Sequence, residues 1–154
     1  MRERVLKKRP SRAGEDGYTL TEMLVVIAII ALIAAVLTPQ LMGQMSRSRA
    51  KAAQLQLETV ASAVELFRTD IGRYPSEAEG LGALVTDPGS EAWTGPYLKD
   101  SKSIIDPWNR PHVYQVDAEG LSFSVGSLGA DGKVGGSGAN RDLRSPAGAA
   151  PLTP

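Results

Sequence analysis

Between Glu22 and Arg47 stand 24 residues without an Asp, Glu, Lys or Arg, and this run constrains the chain more than any other feature. The stretch 17–39 reads GYTLTEMLVVIAIIALIAAVLTP. About 20 helical residues cross a bilayer core. In lipid each backbone polar group must be satisfied within its own segment, which selects a helix. Residues 18–45 are therefore predicted as a membrane helix. Residues 1–17 hold six basic and three acidic residues, and this basic excess holds that end on the cytoplasmic side. Pro39 lies inside the helical pattern and predicts a kink or local melting. Gly43 weakens the helix further. A cleaved secretory signal would need a small-x-small site after the apolar core, and none follows cleanly.

Glu22 is the awkward residue. An unpaired carboxylate in hydrocarbon costs kilocalories, so it either stays at the interface or finds a partner. An ordinary anchor with a stray acid at its edge is one reading. The other rests on a series: a basic leader, Gly17, Tyr18, Thr19-Leu20, Glu22 as the fifth residue from Tyr18, the apolar run, and Pro39. This series resembles a type IV prepilin N-terminus. The resemblance implies cleavage between Gly17 and Tyr18 by a dedicated prepilin peptidase, and N-methylation of Tyr18. It also implies that Glu22 meets the N-terminal ammonium of a neighbouring subunit in a fibre. Phe or Met is usual at the first mature position, and Tyr18 departs from that while remaining aromatic.

Composition narrows the function classes. There is no cysteine, which excludes disulfides, thiol catalysis and cysteine metal sites. Lys plus Arg equals Asp plus Glu at 17 each, so nothing points to nucleic acid. With one histidine, no cysteine and no G-x-S-x-G, a membrane-tethered periplasmic enzyme finds little support, and no enzyme is expected.

After the membrane segment, Ala50, Ala53, Leu57, Val60, Val64, Phe67 and Ile71 recur at alternating spacings of 3 and 4. That is one apolar stripe of an amphipathic helix packed on a domain. The 52 residues from Thr19 to Asp70 would run about 78 Å if fully helical. Gly72 ends the pattern. Ser76 with Glu79 forms a capping-box signature before Leu81, Leu84 and Val85, the buried edge of a short helix. Asp87-Pro88-Gly89 is a turn. Residues 90–111 read as a loop pinned by Trp93, Tyr97 and Trp108. Residues 112–116 (HVYQV) and 121–125 (LSFSV) alternate as a hairpin, with Leu121, Phe123 and Val125 facing the long helix. His112 alone is a poor zinc candidate and reads as a strand-edge structural residue. In residues 126–143, Asp131 and Asp142 bracket a glycine-rich loop. Bendable backbone and many oxygens suit calcium, and a merely flexible turn is the alternative. Residues 144–154 read as a disordered tail.

The segments GRYPSEAEGLGALV (72–85), WTGPYLKD with DPWNRPHVY (93–114) and SLGADGKVGGSGANRDL (127–143) resemble the major pseudopilin of type II secretion systems, the general secretion pathway protein G family. The resemblance implies an α+β, type IV pilin-like fold. A long helix, transmembrane then amphipathic, packs on a small domain with a short helix, an aromatic loop and an antiparallel hairpin or sheet. It divides the chain into a leader 1–17, a membrane and fibre-core helix 18–45, a periplasmic domain 46–143 and a tail 144–154. It implies a structural subunit that polymerises from the inner membrane to drive export of folded proteins across the outer membrane. An adhesion or DNA-uptake pilin is the alternative. Implied partners are further copies through the N-terminal helix, minor pseudopilins, an inner-membrane assembly platform and the prepilin peptidase. The family's C-terminal loop binds calcium; by motif the ligands here are the Asp131 and Asp142 side chains, the Leu128 carbonyl and, less closely matched, Asn140. The Asn109-Arg110 pair departs from the Gly-Asn usual in relatives.

Overall fold

The computed structural model describes residues 18–149. The leader 1–17, including Gly17, and residues 150–154 lie outside that range. The described residues belong to two compact units, divided between Gln40 and Leu41.

Helix α1 is assigned from Leu20 to Ile71. In the first unit its apolar side chains are exposed, Ile27, Ile30 and Leu32 among them. So much contiguous apolar surface needs lipid or other chains to cover it. The local melting expected at Pro39 is absent, since the helical assignment passes through it. Proline removes a single donor from the ladder, and the turns on both sides keep theirs. One turn back, the Thr38 hydroxyl donates to the Ala34 carbonyl at 2.7 Å.

In the second unit the predicted stripe is the core. Ala53, Leu57, Val60, Val64 and Phe67 are buried to 1% exposure or less. Ala61 and Ala63 widen the buried face. Each fully buried Leu, Val or Phe contributes roughly 1.5–3 kcal/mol, so this half of α1 is held by packing. Gly72 ends the helix at φ 84°, its N–H donating to the Arg68 carbonyl at 2.8 Å. An L residue there would carry a left-handed strain that glycine avoids.

The Ser76–Glu79 capping box forms in both directions. Glu79 Oε2 accepts from the Ser76 amide at 2.7 Å, and Ser76 Oγ accepts from the Glu79 amide at 3.3 Å. It opens a tight 3₁₀ turn, Gly80–Leu84, with Leu81 and Leu84 buried. The aromatic loop is pinned as expected. Trp93 Nε1 donates to the Ala83 carbonyl at 3.0 Å, and Tyr97 packs edge-on against both Phe67 and Trp93. A second 3₁₀ turn, Ser101–Ile104, lies inside this loop where none was expected; Asp100 caps it by accepting from the Lys102 and Ser103 amides.

Three antiparallel strands follow in the order β1 (Val113–Val116), β2 (Phe123–Ser127), β3 (Leu143–Ser145). Tyr114 pairs with Val125, and Val125 with Ser145. Two expectations change. Leu121 is 67% exposed rather than inward, because the turn claims it: its amide donates to Asp117 Oδ1 at 2.7 Å. The hairpin's second strand accordingly starts at Phe123, with Phe123 and Val125 buried. The domain also does not close at Leu143, since Arg144 and Ser145 belong to β3. Three residues between a glycine-rich loop and a proline carry no alternation to read.

Candidate functional site

The first candidate site is the entry to α1. Thr19 precedes the helix and Glu22 is its third residue. Glu22 Oε2 accepts from the Thr19 amide at 2.7 Å and from the Thr19 hydroxyl at 2.8 Å. The Glu22 amide donates back to Thr19 Oγ1 at 3.2 Å. This is a capping box, each side chain satisfying a helix-end donor of the other. The acid that stood out in the sequence thus has a partner within a single chain. Around it, Tyr18, Thr19, Glu22, Val25 and Val26 line a surface recess of about 500 Å³.

The second is the loop between β2 and β3. Its arms are tied where the Ala130 amide donates to the Ala139 carbonyl at 2.9 Å. The Leu128 carbonyl accepts from the Gly132 amide at 3.2 Å. Asp131 Oδ1 accepts from the Lys133 amide, Asp142 Oδ2 from the Gly135 amide. Two glycines are required by close approach: a Cβ on either Gly129 or Gly136 would stand 2.6 Å from the Asn140 carbonyl oxygen. Leu128 and Asp131 therefore belong to one arm, Asn140 and Asp142 to the other, and the short Ala130–Ala139 bond draws the arms together.

Whether a hard cation suits this loop turns on its oxygens. Asp142 Oδ1 is buried with no hydrogen-bond partner. A buried carboxylate oxygen left unpaired is costly, and a cation is one way to satisfy it. The motif-matched groups are all oxygen donors on a glycine-rich turn, as calcium prefers. No three His, Cys, Asp or Glu side chains gather among the described residues, so most of a calcium shell here would come from carbonyls, amides and water. The residues fit on that basis.

A neighbouring network was not read from the sequence. Asp106 is 5% exposed and receives the Trp108 and Arg110 amides on Oδ1 and the Ser127 hydroxyl on Oδ2, the last at 2.7 Å. The Arg110 guanidinium lies 3.5 Å from Asp106 Oδ2 and donates to the Gly129 carbonyl. It thereby links the aromatic loop to the start of the glycine-rich loop. Asn109, at φ 64°, is the one non-glycine with positive φ among the described residues. Asparagine tolerates that region better than most residues with a side chain, so Asn109 can hold a conformation that otherwise favours glycine. The signal for this network was Asp106-Pro107, an Asx-turn signature. His112 is buried beside β1, and burial pushes its imidazole below the usual range against the pull of Asp106. Both its ring nitrogens are buried without a hydrogen-bond partner among the described residues.

Comparison with known proteins places both sites in context. The family model for Type II secretion system (T2SS), protein G matches residues 40–146. The model for the prokaryotic N-terminal methylation motif matches residues 12–38. Type II secretion system core protein G of Xanthomonas campestris pv. campestris is 37% identical, over 94% of this chain and 99% of that protein. The core protein G of Pseudomonas aeruginosa is 34% identical over 86% and 95%. The crystal structure of the major pseudopilin from the type 2 secretion system of enterohaemorrhagic Escherichia coli shares the fold. Its TM-score is 0.51 at 24% identity, over 70% of this chain and 94% of that one.

Proposed function

The chain belongs to the type II secretion system protein G family, and from that premise we propose how this pseudopilus subunit is processed, assembled and held in shape. Family membership makes it a structural subunit with a pilin-like fold. The carrying observation is that a methylation-motif N-terminus runs directly into a protein G domain on one chain.

In this reading the peptidase cuts between Gly17 and Tyr18, and Tyr18 is methylated. The helix then waits in the bacterial inner membrane as a single span, leader side cytoplasmic and C-terminal domain periplasmic. Assembly moves it from lipid into a fibre core built from many copies, with minor pseudopilins and an inner-membrane platform as partners. The growing fibre moves folded proteins through the outer membrane. Glu22 exchanges its local hydroxyl and amide partners for the Tyr18 ammonium of the next subunit. In apolar surroundings that pair gains far more than at a surface, while an acid left behind is penalised. Glu22 thus acts in register and subunit addition.

Calcium in the 126–143 loop would be held by Asp131, Asp142, the Leu128 carbonyl and Asn140. When bound, it supplies a charge on which the two loop arms converge. The chain's own contribution is the Ala130–Ala139 tie and the unpaired Asp142 Oδ1, which support this reading.

The test is reconstitution. The full chain, expressed with a type II secretion system lacking its own major pseudopilin, should restore shearable fibres and export. Correct processing with neither fibres nor export would refute the polymer reading.

A further inference from the structure

Between α1 and the β2–β3 side of the sheet runs a groove of about 250 Å³. Ala61, Phe123 and Pro146 give it an apolar lining, and Glu58 and Glu65 stand along it seven residues apart on α1. Both acids are exposed. Glu58 has only a 3.4 Å side-chain contact from Gln54 and no cation within salt-bridge reach among the described residues. Glu65 accepts from the Tyr74 hydroxyl at 3.0 Å and faces Arg68 at 3.7 Å. An apolar trough edged by carboxylates suits one kind of visitor: a long basic side chain, its stem on the lining and its head between the acids.

The same helix carries the complement. Arg47, Arg49 and Lys51 are exposed, and their side chains make no hydrogen bond or ion pair among the described residues. They cannot reach the groove of their own chain, because helix neighbours meet at spacings of three and four, not seven or more. We infer that the groove beside Glu58 and Glu65 receives the basic 47–51 segment of a second copy of this chain. This deepens the polymer reading and rests on it.

The geometry suits a fibre rather than a closed pair. Copies inserted in one membrane run parallel, so the basic segment of one meets the groove of the next and not the reverse. Such a contact is heterologous, and a heterologous contact that does not close builds an open helical filament. In two parallel copies, Lys51 comes level with Glu58 after a shift of 7 residues and with Glu65 after 14. At 1.5 Å per residue these are advances of about 10 and 20 Å. Each subunit then offers a free basic segment at one end and a free groove at the other.

The absence of cysteine makes the test direct. Fibres of the full chain carrying Lys51→Cys and Ser62→Cys together should give a ladder of covalent oligomers under mild oxidation, while each single variant gives none. Glu58→Lys with Glu65→Lys should lower sheared fibre at least tenfold. Adding Arg47→Glu, Arg49→Glu and Lys51→Glu should restore it, with Tm confirming that each variant folds. Full fibre yield from the double lysine variant would overturn the contact while leaving the polymer reading intact. So would a ladder obtained with Lys99→Cys in place of Lys51→Cys. Loss of membrane retention on reversing residues 47, 49 and 51, with fibre yield unchanged, would assign those cations to lipid phosphate instead. No fibre from the unaltered chain would overturn the polymer reading and this contact with it.

Discussion

The Thr19 hydroxyl and amide both donate to one carboxylate oxygen of Glu22, at 2.8 and 2.7 Å. Glu22 is therefore a helix cap in the single chain before it is anything in a fibre. The acid is tolerated at the helix mouth because the first turn supplies donors that would otherwise lack partners. In the proposed assembly, subunit addition would exchange one satisfied state for another, rather than rescue a bare charge.

That distinction can be tested with Glu22→Gln. Glutamine keeps a capping box but has no charge to pair with an ammonium. The variant should be processed and membrane-inserted as usual, yet yield few or no fibres. Normal fibre number and length on electron micrographs would show that the cap, not the charge, is what assembly needs.

Processing makes its own prediction. Gly17→Ala should leave a precursor longer by the 17 leader residues, visible on a gel and by intact mass. Mass spectrometry of the unaltered protein should find a methylated Tyr18 at the N-terminus. A start elsewhere would refute the assigned site.

Calcium should raise the melting temperature of the detergent-solubilised chain. At 100-fold above Kd, linkage adds about 2.7 kcal/mol, a shift of about 10–20 °C for a domain near 100 residues. Asp142→Asn should remove most of the shift. Identical melting in calcium and in chelator would exclude the site.

Acid stability should depend on one ion pair. Arg73 donates to both oxygens of Glu79, each at 2.7 Å, and holds that carboxyl down at about 2, with the Ser76 bonds adding to the effect. A depressed folded pKa stabilises above the unfolded value of 4.5, and the gain is lost as pH falls through about 2. The pair is partly exposed, so the effect is modest. Glu79→Gln should flatten the pH dependence of unfolding between those values and leave it unchanged near neutrality.

The core stripe predicts a contrast between adjacent positions. Phe67 is fully buried and Leu66 is 56% exposed. Phe67→Ala should cost about 3–5 kcal/mol, and Leu66→Ala about 0.5 kcal/mol or less. Chemical denaturation of the two variants measures both, and equal losses would contradict the assigned face of α1.

Much of this protein is local in its chemistry, and the local parts were legible. An uncharged run of 24 residues has few fates, and the 3-and-4 spacing from Ala50 to Ile71 names the buried face by periodicity alone. Both capping boxes involve residues three apart, although only Ser76–Glu79 stood out as one. At Thr19–Glu22 the box lies at the mouth of the apolar run, where the nearer partners of the acid are the hydroxyl and amide of Thr19. Gly72, Trp93 and Tyr97 likewise act where their neighbours in sequence indicate.

What escaped depends on residues distant in the chain. Asp106 is buried with Ser127, 21 residues on, donating to it, and Arg110 reaches Gly129, 19 residues on. Strand β3 has three residues, too few to carry a period, and exists because β2 offers a free edge to Leu143–Ser145. Leu121 left the core because Asp117 took its amide into the turn. The groove beside Glu58 and Glu65 comes into being only when Phe123 and Pro146 are brought against α1. Sequence by itself determined the helix, its two solvents and its family, since periodicity and charge act over one or two turns. Only the tertiary structure decided which oxygens are buried without partners and which acids border a groove, because burial belongs to whatever the rest of the chain packs on top.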